Sequence, residues 1–230
     1  MATAWQLEVC VEEIDHALVA IEAGATRIEF NSQLHEDGLT PDLRACELLV
    51  DESPVPIIAM LRCHNRGFQY SLSEKRQMLT DCQRLLDCGV QGIAVGASTK
   101  RGRLDCEFLD QVGQLCAGHE LVLHRVVDTL GVYENWLIDA KQLGFRRVLT
   151  SGAQKCAIDG LDQLGQLVGE AGPELQVLVG GGVNADVIDS FLRRTKCLEF
   201  HGSFSLGAKR PNAREIHSAV SRIKSQFRDH

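Results

Sequence analysis

A repeated order of helix, glycine and strand is the feature of this 230-residue sequence that most constrains its fold. It is clearest in EAGATRIEF at 22–30, DCGVQGIAVG at 87–96 and QLGFRRVLTSG at 142–152. Glycine at such a joint can adopt the left-handed conformation, which ends a helix without a steric penalty at Cβ. The chain is therefore predicted to alternate helices with strands.

Extending the pattern along the chain gives eight predicted strands, most of them continuous apolar runs of the kind found in a parallel sheet covered on both faces. They lie at 6–11, 27–31, 55–61, 92–97, 120–127, 147–152, 175–181 and 197–202. Amphipathic segments of helical length alternate with them, at 12–24, 41–52, 73–89, 105–118, 134–144, 158–172, 184–195 and about 213–227.

Alternation on this scale predicts an α/β fold in which eight parallel strands close into a (β/α)8 TIM barrel. An open doubly wound sheet would usually have fewer strands and a glycine fingerprint after its first strand, whereas LEVCVEEIDH at 7–16 has no glycine. We expect a single barrel domain over residues 1–230, with its C-terminal helix at about 213–227.

Composition excludes several classes of function. The net charge is −7 and the basic residues are scattered, so no nucleic-acid partner is expected. No apolar run approaches the length of a membrane span, so no membrane association is expected. The nine cysteines include no Cys-x-x-Cys pair, which favours reduced thiols in a cytoplasmic protein.

Polar residues cluster where the predicted strands end, the edge at which barrels gather their functional groups. Alternate positions on a strand share a face, which pairs Glu8 with Cys10, Glu29 with Asn31, and Glu199 with His201. Closure of the barrel makes strands one, two and eight neighbours, so we expect the three glutamates to point into one sector of the interior.

Carboxylates that lie so near one another cannot all stay ionised without partners. Arg62 and Arg125 are the expected partners, and a bound cation or protonation of one carboxylate is the alternative. A third interpretation is a closed network of acids and arginines that only stabilises the barrel.

Two further groups of residues suggest ligand chemistry. His124, Arg125 and Asp128 could supply an acid or base, an anion clamp and an orienting carboxylate. Glycines before a helix start and after strand eight could present N–H groups to a phosphate. The candidate catalytic residues are Glu8, Glu29, Arg62, His124, Arg125 and Asp128. The candidate ligand-binding residues are Ser151, Gly180, Gly181, Gly182, Gly202 and Ser203.

Soft donors form a candidate metal site. Cys10 and His201, with Cys63 as a further thiol, offer the sulfur and imidazole ligands that suit copper(I) or zinc. A glycine run can equally be a tight turn, and a strand cysteine is often inert, so these groups remain hypotheses at the level of sequence.

Several motifs in order resemble the CutC copper-homeostasis family. They are LEVCV at 7–11, AGATRIEF at 23–30, HEDGLTP at 35–41, LHRVVD at 123–128, GFRRVLTSG at 144–152 and VGGGVNADVI at 179–188. The resemblance covers residues 6 to 205 and implies a cytosolic TIM barrel that is a homo-oligomer, dimer or tetramer. It also implies copper(I) as the ligand, with no assigned reaction.

The sequence departs from the family pattern at the softest donors. The family's Glu-Leu-Cys on strand two is Glu29-Phe30-Asn31 here, so a two-thiolate site is not carried over. Cys63 stands in a loop where the family has proline, and could replace the missing thiol. The charged inward-facing residues are retained, which favours a small anionic metabolite as a ligand.

Three functions therefore remain open. The first is a CutC-like barrel linked to copper homeostasis. The second is a lyase, isomerase or hydrolase acting on a phosphorylated or carboxylated metabolite, with His124 as acid or base and Arg62 and Arg125 as anion clamps. The third is a non-catalytic scaffold.

Overall fold

Eight parallel strands close into a barrel in the computed structural model, which describes residues 5–131 and 135–226. Each strand pairs with the next along the chain, and the last pairs with the first, as the sequence predicted. The strands are β1 (Gln6–Val11), β2 (Arg27–Phe30), β3 (Ile57–Leu61), β4 (Gly92–Val95), β5 (Glu120–Leu123), β6 (Arg147–Thr150), β7 (Gln176–Val179) and β8 (Glu199–Gly202).

An α-helix follows each strand. The helices are α1 (Ile14–Glu22), α2 (Leu43–Glu52), α3 (Leu72–Asp87), α4 (Cys106–Leu115), α5 (Trp136–Gln142), α6 (Leu161–Ala171), α7 (Ala185–Thr195) and α8 (Ala213–Ser225). Short 3-10 turns cover Leu34–Glu36, Arg125–Thr129 and Ala157–Gly160. The predicted helix boundaries at 134 and 227 lie outside the described residues. None of the helices in the described ranges is long and apolar enough to cross a bilayer.

The glycine joints have the predicted conformation: φ is +106° at Gly24, +87° at Gly89 and +80° at Gly144. The predicted first residue of a helix agrees with the structure for some helices and not for others. Asn184 accepts a hydrogen bond from the N–H of Asp186 and caps α7. For α3, which was predicted over 73–89, the capping residue is Ser71, because Ser71 and Glu74 form a reciprocal capping box.

Strand five ends earlier than predicted. The sequence placed it over 120–127, but β5 stops at Leu123 and the chain turns into the 3-10 segment Arg125–Thr129. The turn is stabilised by His124, whose Nδ1 accepts a hydrogen bond from the N–H of Val126 at 3.2 Å. As a result Arg125 and Asp128 lie on one turn at the mouth of the barrel.

Two apolar regions support the barrel. The large core lies between the sheet and the helices. A small separate cluster of Ile58, Met60, Ala94 and Val122 fills one side of the barrel interior. The other side of the interior is charged, and it contains the candidate site.

Candidate functional site

Charged residues at the amino-terminal ends of four strands form a continuous ion-pair network. We call this network the floor; its residues are Arg27, Glu120, Arg147 and Glu199. Glu120 Oε1 lies 2.6 Å from Arg27 Nη1 and 2.8 Å from Arg147 Nη1. Arg147 Nε in turn donates to Glu199 Oε2 at 2.5 Å. The floor closes the amino-terminal end of the barrel interior.

The predicted partners of the inward glutamates were wrong. Arg62 donates through Nη1 to the carbonyls of residues 36, 37 and 38, at 3.1 to 3.2 Å, and so holds the loop after β2. Arg125 donates to Asp128 instead. The actual partners are Arg27 and Arg147. Each stands two positions before an inward-facing residue of its own strand, so the alternation of side chains along a strand predicts that both arginines face inward.

The three glutamates also do not share one chamber. Glu199 pairs in register with Gln6, whereas Glu8 pairs with His201. Glu199 therefore lies one layer lower than Glu8 and belongs to the floor. The physical reason is the stagger between β1 and β8, which the strand sequences do not encode.

Glu8 connects the floor to the layer above. Its Oε2 accepts from Arg27 Nε at 2.5 Å and its Oε1 accepts from His201 Nδ1 at 2.6 Å. Burial opposes ionisation of this carboxyl, but the charges of Arg27 and His201 outweigh it and hold the pKa of Glu8 at about 2. Glu8 is therefore a fixed anion under the imidazole of His201.

A candidate metal cluster lies directly above Glu8. Donor atoms of Cys10, Glu29 and His201 all lie within 4.8 Å of one another. Cys10 pairs in register with Glu29, which explains how β1 and β2 bring a thiol and a carboxylate together. Since Glu8 holds Nδ1 of His201, the other ring nitrogen, Nε2, is the one directed at Glu29 Oε2, 3.8 Å away.

Burial and charge set the protonation of this cluster. Burial favours a neutral His201, but Glu29 and Cys10 and the hydrogen bond to Glu8 raise its pKa well above the ordinary value. Burial, together with the charge of Glu8, raises the pKa of Glu29, although His201 opposes this. The cluster without metal thus holds an imidazolium between carboxyl groups.

Cys63 does not join Cys10 and His201. It is half-buried beside the core, outside the cluster, and burial and the charge of Glu74 raise its pKa. Its neighbour His64 faces Glu74 at 3.4 Å. The geometry therefore gives no support to Cys63 as the replacement thiol.

A cavity of about 900 Å³ opens above the cluster at the carboxyl ends of the strands. Of the candidate catalytic residues, all but Glu8 line it, and of the candidate ligand-binding residues, all but Ser151 and Gly180 do. Lys209, in the loop after β8, also lines the cavity. The sequence analysis missed Lys209 because it lies in no periodic segment.

His124 faces the cavity as a neutral donor. It is 3% exposed, and its ring centroid lies 4.9 Å from that of Phe68. Burial, reinforced by the charge of Arg62, lowers the pKa of His124 to about 3. Because Nδ1 accepts from Val126, the proton of the neutral ring is assigned to Nε2, which has no partner in the described part of the chain.

Asp128 orients Arg125 rather than His124. Its carboxylate accepts from Arg125 Nε at 2.8 Å, from Thr150 Oγ1 at 2.5 Å and from Ser151 Oγ at 2.9 Å. Ser151 also accepts from Arg125 Nη2 at 2.8 Å. The predicted trio is therefore a positioned arginine beside a separate, neutral histidine.

Comparison with known proteins gives the family. The sequence profile described as the CutC family matches residues 5–206. The chain belongs to the CutC family. A CutC family protein from Caulobacter vibrioides is 34% identical over 97% of this chain and 91% of its own length. A copper homeostasis protein cutC homolog from Caenorhabditis elegans is 31% identical over 89% of this chain and 82% of its own length.

Solved structures agree on the fold. CutC from Streptococcus agalactiae superposes with a TM-score of 0.80 at 23% identity, covering 86% of this chain and 98% of that one. At that identity the superposition supports the fold alone. The family is associated with copper homeostasis, and the Cys10, Glu29 and His201 cluster is compatible with copper.

Asn31 stands where the resemblance to CutC leads one to expect a second thiol. Its Nδ2 donates to Glu29 Oε2 at 3.0 Å. The residue therefore orients the carboxylate of the cluster. Any metal site here has one thiolate.

One predicted anion site in this CutC barrel is already occupied by the protein itself. The N–H of Ala185 at the start of α7 donates to Glu215 Oε1 at 2.6 Å, and Asn184 takes the N–H of Asp186. The helix N-terminus is therefore satisfied, contrary to what the glycine run before it suggested. Gly181 and Gly182 of this run still line the cavity, whereas Gly180 does not.

Proposed function

We propose that this protein binds copper(I) at Cys10, His201 and Glu29, and acts in copper homeostasis through this one-thiolate site. The observation that carries the proposal is the position of Glu8. Histidines that bind metals usually donate their other ring N–H to a carboxylate, which fixes the ring and makes it a better ligand. The bond of His201 Nδ1 to Glu8 at 2.6 Å has that form and directs Nε2 at Cys10 and Glu29.

The chemistry of the donors supports a metal of this kind. Thiolate and imidazole ligands suit copper(I) and zinc, and a carboxylate oxygen is a common ligand of zinc but a harder one for copper(I). Glu29 has an oxygen, Oε1, that is buried and has no partner among the described residues. A cation between the three side chains would pair this oxygen and replace the proton that His201 carries without metal.

The proposal is tested by copper(I) titration against a chromogenic chelator under anaerobic, reducing conditions. Cys10→Ser is expected to weaken copper(I) binding at least a hundredfold, because it removes the only thiolate in the cluster. Cys88→Ser is the matched control, since Cys88 is a half-buried thiol at the C-terminal end of α3 whose Sγ lies near the carbonyl of Leu43 and which is not part of the cluster. Cys63→Ser is expected to behave like this control.

Two results would count against the proposal. If Cys10→Ser binds copper(I) as the wild type does, the cluster is not the site. If Cys63→Ser loses affinity as strongly as Cys10→Ser, a two-thiolate site forms that this geometry does not contain. Zinc titrations of the same variants determine whether the site distinguishes the two metals.

A further inference from the structure

One wall of the cavity carries two cations, of which Arg125 is paired with Asp128 and Lys209 has no ion-pair partner among the described residues. It is called the anion wall here and consists of Arg125, Gly181, Gly182, Ser203 and Lys209, all of which line the cavity. Arg125 is oriented by Asp128 and Ser151, and its Nη1 has no partner within residues 5–131 and 135–226. Lys209 likewise makes no ion pair or hydrogen bond in the described chain.

Backbone donors line the same cavity as these two cations. The N–H groups of Gly181, Gly182 and Ser203 donate to no acceptor in the described part of the protein. The two glycines have φ of +105° and +74°, which side chains rarely adopt. A Cβ at Gly181 would lie 3.4 Å from Arg125 Cζ, so glycine lets this backbone pack against the guanidinium.

A second observation points independently to a ligand. His124 Nε2 is buried, carries the ring proton, lines the same cavity and has no partner among the described residues. Buried polar atoms in native proteins are nearly always paired, with protein, water or ligand. A donor left free in a cavity of about 900 Å³ requires an acceptor from outside the chain.

The number and type of donors decide which ligand fits. Two cations and three backbone N–H groups from separate loops offer more donors than the two oxygens of a carboxylate can accept in one place. A phosphate group has three terminal oxygens and a charge near −2, and it is bound by such backbone N–H groups together with Arg or Lys.

We propose that the anion wall binds the phosphate group of a small phosphorylated metabolite, and that His124 donates its Nε2–H to an oxygen on the rest of that molecule. The site is independent of the metal cluster, because none of its residues belongs to the cluster. It adds a metabolite ligand to a barrel whose family is associated with copper.

The test uses chelator-treated protein and follows the binding of inorganic phosphate and of glycerol 3-phosphate by calorimetry, at constant ionic strength set with chloride. Arg125→Met is expected to weaken both ligands at least tenfold, and Lys209→Met about threefold or more, since each removes a charge-assisted hydrogen bond. Lys141→Met is the matched control, because Lys141 lies on α5, outside the cavity, and its Nζ donates to the carbonyl of Glu170.

His124 is tested with the ester. His124→Leu is expected to weaken glycerol 3-phosphate about fivefold and leave inorganic phosphate unchanged, because only the ester extends beyond the anion wall. His124→Gln, which keeps an N–H donor, is expected to restore most of that affinity. Circular dichroism melts of every variant verify that it is folded.

Several outcomes would overturn the inference. Equal phosphate affinity in Lys209→Met, Arg125→Met and Lys141→Met would show that the wall does not bind the anion. If malonate binds more tightly than phosphate, the group that the anion wall recognises is a carboxylate and not a phosphate. Cys10→Ser is expected to keep phosphate binding while it loses copper(I), so failure of this inference and failure of the copper proposal are distinguishable.

Discussion

The interior of the barrel contains two charged layers that differ in how their groups are paired. In the floor, Arg27, Glu120, Arg147 and Glu199 pair with one another at 2.5 to 2.8 Å. In the layer above, Glu29 Oε1 and His124 Nε2 are buried without partners in the described chain. Arg27 Nη2 in the floor is also buried without a partner in the described chain, but Arg27 does not line the cavity. Charge inside a barrel is therefore not by itself a sign of function, whereas an unpaired group lining a cavity is.

The scaffold interpretation from the sequence thus applies to the floor alone. Buried ion pairs contribute little net stability against an apolar replacement, but removing one partner leaves an uncompensated charge. The upper layer lacks such internal compensation and opens to a cavity. The following variants separate these two layers.

Arg27→Met is expected to have the largest effect. It leaves Glu8 and Glu120 without their shared cation and should lower the free energy of unfolding by about 3 to 5 kcal/mol. Urea unfolding measures this change. Arg44→Met is the control, because the exposed pair of Arg44 and Glu47 should contribute less than about 1 kcal/mol. Similar values for both variants would mean that the floor is not structural.

The neutral state of His124 predicts a pH dependence. The unfolded chain binds a proton at His124 below its ordinary pKa of 6.5, whereas the folded protein does so only near 3. Wild type should therefore lose stability as the pH falls from 6.5 toward 3, at up to about 1.4 kcal/mol per pH unit from this group. Urea unfolding at several pH values between 7.5 and 4.5 measures this dependence. In His124→Gln the free energy of unfolding should change with pH less steeply than in the wild type, by that amount. Parallel slopes would show that His124 is charged when folded.

Asn31→Cys is expected to sharpen the metal site. A second thiolate beside Glu29 should raise copper(I) affinity at least tenfold, about 1.4 kcal/mol, because soft ligands favour copper(I). Asn31→Ser removes the amide without adding a thiol and is the matched control in the same chelator competition. Equal affinities for the two variants would place the metal away from β2.

Glu29→Gln should have the smallest effect on stability. Burial raises the pKa of Glu29 and so lowers the cost of a neutral group at this position. The amide should change the free energy of unfolding by less than about 1 kcal/mol. Burial raises the pKa of Glu199 as well, but this carboxyl pairs directly with Arg147, which opposes the rise. Glu199→Gln, the matched change in the floor, should therefore cost about 3 kcal/mol, because Arg147 keeps Glu120 but loses its acceptor at 2.5 Å. A cost for Glu29→Gln as large as that for Glu199→Gln would remove the distinction between the layers.

The sequence predicted the fold well because the signals are local. A glycine after a helix and an apolar run after the glycine fix each unit, and closure then makes β1, β2 and β8 neighbours. That reasoning placed Cys10 near His201, as the structure has them, but it named Cys63 and not Glu29 as the further donor. It did not identify Glu8 as the group that orients His201, because that role depends on the side-chain hydrogen bond.

The features of the site that the sequence did not predict depend on how the strands are staggered and on which side chains meet in the folded protein. The stagger of β8 against β1 lowers Glu199 by one layer and separates it from Glu8. Arg27 and Arg147 were not predicted because they are the first residues of their strands, whereas functional groups were expected at the carboxyl ends. The alternation of side chains nevertheless makes Arg27 face inward with Glu29. Arg62 appeared to be an ion-pair partner, but it binds backbone carbonyls of a loop instead.

X-ray absorption at the copper edge of the anaerobically loaded protein identifies the atoms that bind the metal. The one-thiolate site should give one sulfur neighbour, from Cys10, together with nitrogen from His201 and oxygen from Glu29. Two sulfur neighbours, or none, would contradict it, as would a spectrum that stays the same in Cys10→Ser.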